Sequence, residues 1–120
     1  MDTKKIIFKI GGDLMEDIRE TFRDPSSTEW NVTTVYLKDW KELLEALTPQ
    51  RMQLLQEMLA VAREKDPCDI RMLAQKTNRK REAISRDLKG LEQSGIITKT
   101  KKGKNVYPEI AVREIVIQFG

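Results

Sequence analysis

One stretch in the second half of the chain, "DIRMLAQKTNRKREAISRDLKGLEQSG" (69–95), constrains the fold more than any other. Asp69 can cap a short helix, and "TN" ends it, because Asn78 readily takes the left-handed conformation that a tight turn needs. A longer helix follows, in which Ile84, Leu88 and Leu91 have the spacing of one helical face. The stretch therefore predicts two helices joined by a short turn.

The neighbouring segments extend this pattern on both sides. Gly95 stands where helices often end, and "IITKTKKGKNVYP" after it predicts a hairpin that turns at Lys102-Gly103. On the other side, Asp39 predicts the start of one helix and Thr48-Pro49 the start of another. The apolar side of this second helix is expected at Met52, Leu55, Met58, Leu59 and Ala62. Helix, short helix, turn, longer helix and hairpin form the order of a winged helix-turn-helix domain, whose third helix enters the DNA major groove.

The two ends of the chain predict further strands, so the expected fold class is α+β. "KKIIFKI" (4–10) and "NVTTVYL" (31–37) are rich in β-branched and aromatic residues, and an amphipathic helix over 13–24 separates them. The tail "EIAVREIVIQF" (109–119) alternates and then becomes continuously apolar, which predicts one last strand. The predicted organisation is a strand–helix–strand unit over 1–37, a winged helix-turn-helix domain over 38–108 and a C-terminal strand over 109–120.

Composition excludes several function classes. The chain has no histidine and one cysteine, Cys68, which rules out a histidine-based triad, an ordinary zinc site and an internal disulfide. No cofactor is expected, and the protein is not expected to be an enzyme. No apolar run approaches the length of about 20 residues that a membrane span requires, and the charged N-terminus does not resemble a signal peptide. We therefore expect a cytoplasmic protein without a membrane partner.

Charge is unevenly distributed along the chain. Residues 65–104 hold 12 Lys/Arg against 5 Asp/Glu, a net charge of +7, whereas the other residues hold 10 against 14, a net charge of −4. Segregated positive charge favours an anionic macromolecule as partner. An ordinary solvated surface is the alternative.

Three segments also carry a resemblance to a known family: "LTPQRMQLLQEM", "DIRMLAQKTNRKREAISRDLKGLEQSGII" and "YPEIAVREIVI". From Thr33 to Phe119 the sequence resembles small prokaryotic winged-helix predicted transcriptional regulators of the MarR-like kind. It departs from them at "TN", where the family usually has Leu-Gly, and at Ser94, where it usually has Leu. The resemblance implies a winged-helix fold and binding to double-stranded DNA.

The basic helix, over about 79–94, is expected to read DNA. The side chains expected to meet base edges are Arg79, Glu82, Ala83 and Arg86, because Arg pairs with guanine, Glu accepts from cytosine and the Ala methyl contacts thymine. Those expected to contact phosphates are Lys80, Arg81, Ser85 and Lys89. A solvated helix face stabilised by a Glu82–Arg86 pair would have a similar composition.

The predicted hairpin concentrates positive charge around one glycine. Its cations in 99–105 are Lys99, Lys101, Lys102 and Lys104. As a wing, they would lie along phosphates or touch the minor groove and release counterions. Lysines on exposed hairpins can also serve only to block edge-to-edge pairing.

These observations predict a sequence-specific, double-stranded-DNA-binding transcriptional regulator. The alternative is an antitoxin-like interaction module, whose acidic N-terminal part holds a basic toxin while the wing domain represses its own operon. Strands at 4–10, 31–37 and 109–119 would expose an edge and an apolar face in a monomer. We therefore also expect a homodimer built on these strands and the 13–24 helix, reading an inverted repeat.

Overall fold

The computed structural model describes residues 5–12, 14–23, 32–64 and 68–120. Within these ranges the chain forms five helices and two small sheets, so the fold is mixed α+β. Two compact units divide the chain: unit 1 comprises Met1–Glu45 and Val112–Gly120, and unit 2 comprises Ala46–Ala111. The elements in chain order are β1 (Lys5–Ile10), α1 (Leu14–Arg23), β2 (Val32–Leu37), α2 (Trp40–Ala46), α3 (Pro49–Arg63), α4 (Ile70–Thr77), α5 (Arg81–Gln93), β3 (Ile97–Lys102), β4 (Asn105–Ile110) and β5 (Glu114–Phe119).

Unit 1 is built on a three-stranded sheet in the order β2-β1-β5, with both neighbouring pairs parallel. Burial alternates along the central strand β1, with Ile6 and Phe8 buried on one face of the sheet. Parallel neighbours require a crossover, and α1 lies in the connection from β1 to β2. The predicted strands at 4–10 and 31–37 and the helix between them are confirmed for the described residues.

The prediction of one strand over 109–119 is wrong. Ile110 still pairs with Ile97 in the antiparallel β3–β4 hairpin, and the Ala111 N–H donates to the Ile96 carbonyl at 2.8 Å. Only the apolar run that follows forms β5, which pairs with β1. The composition of the tail correctly predicted strands. However, its two parts pair in two different sheets, so the tail is interrupted at residues 111–113.

The compact units have other limits than the predicted domains. The units divide after Glu45 and after Ala111, rather than after residues 37 and 108. Helix α2 therefore belongs mainly to unit 1 instead of to the predicted 38–108 domain. The physical reason is the break at Thr48-Pro49, where an N-cap and a proline start α3 as a new element.

Unit 2 contains three helices, α3, α4 and α5, which pack against one another, and the β3–β4 hairpin packs on all three. Side chains from the helices and from the start of β3 fill one apolar core. Its buried members are Leu54, Leu55, Met58, Val61, Leu73, Ala74, Ile84, Leu88, Leu91, Ile96 and Ile97. The expected apolar side of α3 is therefore rotated: Leu54 and Val61 are buried, whereas Met52, Leu59 and Ala62 are exposed.

The N-caps of α3 and α4 and the turns after α4 and α5 are those that local sequence predicts. Thr48 Oγ1 accepts from the Arg51 N–H at 3.1 Å, and Asp69 Oδ1 accepts from the Met72 N–H at 2.8 Å. Asn78 has a φ of 54° in the turn after α4, and Gly95 has a φ of 83° after α5. These caps and turns set where α4, α5 and the hairpin begin and end.

Candidate nucleic-acid interface

The turn between α4 and α5 consists of residues 78–80. Left-handed Asn78 reverses the chain, and the Arg79 N–H donates to the Ala74 carbonyl at 3.0 Å, which closes the C-terminus of α4. Lys80 is the N-cap of α5, so the helix begins at Arg81, two residues later than predicted. Lysine has no acceptor with which to cap the first N–H groups of the helix.

Helix α5 separates its side chains into two faces. Ile84, Leu88 and Leu91 are buried in the core of unit 2. Most of the predicted contact residues lie outside that stripe: Lys80, Arg81, Glu82, Ser85, Arg86 and Lys89 are exposed, and Ala83 is half-buried. The structure therefore brings these predicted residues together on the accessible side of α5.

Arg79 is placed differently from the prediction. Its side chain is only 20% exposed, and its Nη2 donates to Asp87 Oδ2 in an ion pair. Arg79 is in the turn rather than in α5, and this position directs its guanidinium towards the carboxylate on the buried side of the helix. The Arg79 guanidinium is therefore engaged within the fold in this structure, and its contact with base edges stays a prediction.

Asp87 is the centre of a small charged network in unit 2. The residue is 8% exposed, and its Oδ1 accepts from Arg51 Nε at 3.3 Å while Arg79 occupies Oδ2. Arg51 Nη1 also donates to the Ala46 carbonyl at 3.0 Å. A carboxylate removed from water needs such partners, because an unpaired buried charge is strongly destabilising. The network joins the start of α3 and the α4–α5 turn to α5.

Gly90 allows Arg51 to reach this network. A Cβ atom added to Gly90 would lie 2.5 Å from Arg51 Nη2, closer than real contacts allow. Sequence reasoning assigned no role to Arg51, Asp87 or Gly90. One signal could have found Asp87: it lies at i+3 from Ile84, within the apolar stripe of α5.

The β3–β4 hairpin is the second basic feature of unit 2. Its two-residue turn is Gly103-Lys104, with a positive φ of 63° at Gly103, as two-residue hairpin loops favour. Lys101, Lys102 and Lys104 are exposed on this hairpin. Lys99 is half-buried, and its Nζ lies 3.2 Å from Glu92 Oε1 of α5. That ion pair connects the hairpin to the basic helix.

Formal charge follows the division into units. Unit 2 carries 14 Lys/Arg and 8 Asp/Glu, a net charge of +6, whereas unit 1 carries 8 and 11, a net charge of −3. The two basic features, the accessible side of α5 and the hairpin tip, belong to the same compact unit. A polyanion would therefore be attracted to unit 2 rather than to unit 1.

The single thiol, that of Cys68, has properties that do not favour a reactive cysteine. Burial, with a smaller contribution from Asp69, raises the pKa of the Cys68 thiol to about 11, although Lys76 partly opposes this shift. Cys68 is thus protonated at neutral pH, whereas reactive cysteines are thiolates.

The described residues contain no group of three or more His, Cys, Asp or Glu that could hold a metal ion. None of the helices described is long and apolar enough to cross a membrane.

Comparison with known proteins places most of these features in one family. The family model HVO_A0114 matches residues 46–117, which is more than half of the chain. The chain belongs to the HVO_A0114 family. The matched region covers all of unit 2, with the charged network, the basic face of α5 and the hairpin, and it continues into β5. No curated protein matches the chain. Membership of the HVO_A0114 family assigns no activity by itself, so function is argued from the site.

Proposed function

We propose that this protein is a sequence-specific, double-stranded-DNA-binding transcriptional regulator of the winged helix-turn-helix type. The observation that carries the proposal is the segregation of side chains on α5: apolar residues and one paired carboxylate face the core, and the exposed side carries Arg81, Arg86 and Lys89 against two carboxylates, Glu82 and Glu92. The resemblance to MarR-like regulators supports the same assignment. Such a protein would act in the cytoplasm.

In this proposal α5 enters the major groove and the β3–β4 hairpin lies along the backbone as a wing. Arg86 and Glu82 offer base-reading groups on the exposed side of α5, with the Ala83 methyl beside them. The residues suited to phosphates are Lys80, Arg81, Ser85, Lys89, Lys101, Lys102 and Lys104. Lys99 fits a supporting role, because its ammonium group pairs with Glu92.

Binding measurements with purified protein test this proposal. Fragments of the host genome bound by the protein are selected, and affinity for the enriched site is compared with affinity for mixed-sequence duplex at several salt concentrations. We expect steep salt dependence and a preference for the enriched site. Arg86→Ala should cost about 1–3 kcal/mol at that site and relax its base preference. Lys101→Ala should weaken binding to all sequences alike.

Arg63→Ala provides the matched control, because Arg63 is exposed at the end of α3, outside α5 and the hairpin. The control should leave base preference unchanged. An Arg86→Ala variant that retains the affinity and preference of the unmodified protein would reject α5 as the reading helix.

We also propose that the protein is a homodimer formed through unit 1. In the described β2-β1-β5 sheet, β5 is one of the two outer strands, so its outer edge can pair with another extended chain. A second β5 supplies the same edge, and Ile117 and Phe119 are exposed beside it. A two-fold dimer would also present two α5 helices to an inverted repeat.

Light scattering at micromolar concentration tests the dimer. Phe119 is 78% exposed, so Phe119→Lys should disrupt association while the monomer remains folded. Leu59→Lys is the control, because Leu59 is an exposed leucine of unit 2. A monomeric unmodified protein, or a dimer that survives Phe119→Lys, would reject this interface.

A second candidate function is the antitoxin-like module. The observation that favours it is the net charge of −3 on unit 1 together with its exposed Trp40 and Leu44, which would suit a basic protein partner. Calorimetric titration with a small basic protein encoded beside this one tests the candidate. Binding that Trp40→Ala abolishes, in a chain still able to bind DNA, would favour the antitoxin role over a simple regulator.

A further inference from the structure

The buried charge of α5 lies where an apolar residue would ordinarily be. Asp87 stands between Ile84 and Leu88 on the core-facing side of the helix, and both its carboxylate oxygens are occupied by guanidinium groups. Arg51 comes from the first turn of α3, and Arg79 comes from the turn before α5. One carboxylate therefore holds two elements against the helix that is proposed to read DNA.

Arg79 is held incompletely within this network. Its Nη2 is paired with Asp87, but its Nη1 is buried and has no hydrogen-bond partner within the described residues. A donor left in that state favours any alternative position in which it can be satisfied. The carboxylate charge of Asp87 is what keeps the guanidinium inside, one residue away from the exposed Lys80.

We propose that Asp87 is a positioning residue for DNA reading that acts in two ways: it fixes α5 through Arg51 and Arg79, and it withholds Arg79 from phosphates. The proposal rests on the proposed function and deepens it. Asp87 contacts no base, yet it limits how many cations the protein offers to any sequence. It thereby lowers non-specific binding while it maintains the orientation on which specific contacts depend.

The variant Asp87→Asn distinguishes a positioning role from a purely structural role, because it removes the negative charge and keeps the shape of the side chain. With that charge gone, the two guanidinium groups repel each other and Arg79 becomes available to phosphate. Binding to mixed-sequence duplex should then strengthen, and the slope of log affinity against log salt should steepen by about 0.9 for one additional phosphate contact. Preference for the selected site should fall by roughly tenfold, since one misplaced base-contacting pair has that effect.

A purely structural role predicts the opposite for mixed-sequence DNA, because partial unfolding weakens all binding. The second variant, Asp87→Asn with Arg79→Gln, removes the released cation and should return the salt slope to that of the unmodified protein. Circular dichroism checks that each variant is folded. Unchanged slope and unchanged preference in a folded Asp87→Asn variant would overturn the proposal.

Arg79→Gln alone keeps the proposal testable if Asp87→Asn does not fold, because it retains the Arg51–Asp87 pair. Its salt slope should match that of the unmodified protein, whereas Lys101→Ala should lower the slope. A loss of slope in Arg79→Gln as large as in Lys101→Ala would overturn the proposal. Failure of the unmodified chain to bind duplex DNA would instead reject the proposed function and this inference with it.

Discussion

The two units of the molecule differ in how many of their apolar residues are buried. Of the thirteen apolar residues buried in the described part of the chain, eleven belong to unit 2. Of the nine large apolar residues that are exposed there, seven belong to unit 1. Unit 2 therefore encloses a core of its own, whereas unit 1 leaves apolar side chains accessible on α1, α2 and β5.

This difference in burial is what the proposed roles of the two units would require. A closed core and a basic surface suit unit 2 to a rigid contact with a polyanion. Exposed apolar side chains on an acidic unit are a typical feature of a surface that binds protein. The family match covers unit 2 completely and leaves out most of unit 1. Four predictions test the comparison, beginning with the largest effect.

Leu88→Ala and Leu44→Ala apply the same change to the two units. Leu88 is 0% exposed in unit 2 and Leu44 is 53% exposed in unit 1. We expect Leu88→Ala to lower the free energy of unfolding by about 2–5 kcal/mol, because it leaves a cavity. Leu44→Ala should change it by about 0.5 kcal/mol or less. Urea denaturation in dilute solution measures both changes in the free energy of unfolding. Equal losses in the two variants would contradict the difference between the two units.

Gly90→Ala tests how tightly the charged network of unit 2 is built. Alanine should stabilise the interior of a helix by about 1 kcal/mol relative to glycine, but its methyl group would displace the Arg51 guanidinium from Asp87. We expect that gain to appear only in an Arg51→Ala background. A double-mutant cycle by urea denaturation measures the coupling. Full stabilisation by Gly90→Ala in the unmodified protein would show that the close approach has no energetic consequence.

Glu92→Gln tests the connection between α5 and the hairpin. The Lys99–Glu92 pair is 27% and 42% exposed, so solvent screens it, and its loss should cost about 0.2–1 kcal/mol. The loss should diminish in high salt. Thermal unfolding at low and high salt measures this, with Glu57→Gln on α3 as the control for charge alone. A loss that is unaffected by salt would contradict a screened ion pair.

Alkylation of Cys68 should report how closed unit 2 is around this partly buried thiol. Its pKa is raised from 9.0 to about 11, so the folded state favours the neutral thiol. The corresponding stability is fully present below pH about 9 and is lost as the pH rises towards about 11. Alkylation by iodoacetamide should be slow at pH 7 in folded protein and much faster in urea. Rapid alkylation of the folded protein at neutral pH would contradict this environment.

Features that depend on a few neighbouring residues could be predicted from the sequence. Thr48 and Asp69 cap helices because their side-chain oxygens reach N–H groups only three residues ahead. Asn78 and Gly95 take positive φ because turns at those positions require it. The exposed side of α5 could also be predicted, because the spacing of Ile84, Leu88 and Leu91 identifies the stripe that is buried.

Features that depend on distant partners could not be predicted in the same way. Helix α3 is apolar on more than one side, so its periodicity did not decide between Leu54 and Leu59 for the core. Arg79 was interpreted as a base-reading residue because its partner, Asp87, is eight residues away across a turn. Asp87 in turn needs Arg51, 36 residues away, which no local pattern connects to it.

The sequence by itself determined the order of the helices and turns and their positions to within one or two residues, the cationic residues of α5 and the hairpin, and the strand-forming character of the tail. Only the tertiary structure decided that the tail divides at residues 111–113, that β5 lies parallel to β1, and that one arginine points inward. The physical reason is the range of the interactions. Caps, turns and amphipathic stripes act within about four residues, whereas strand pairing and burial of a charge depend on which partner the folded chain brings near.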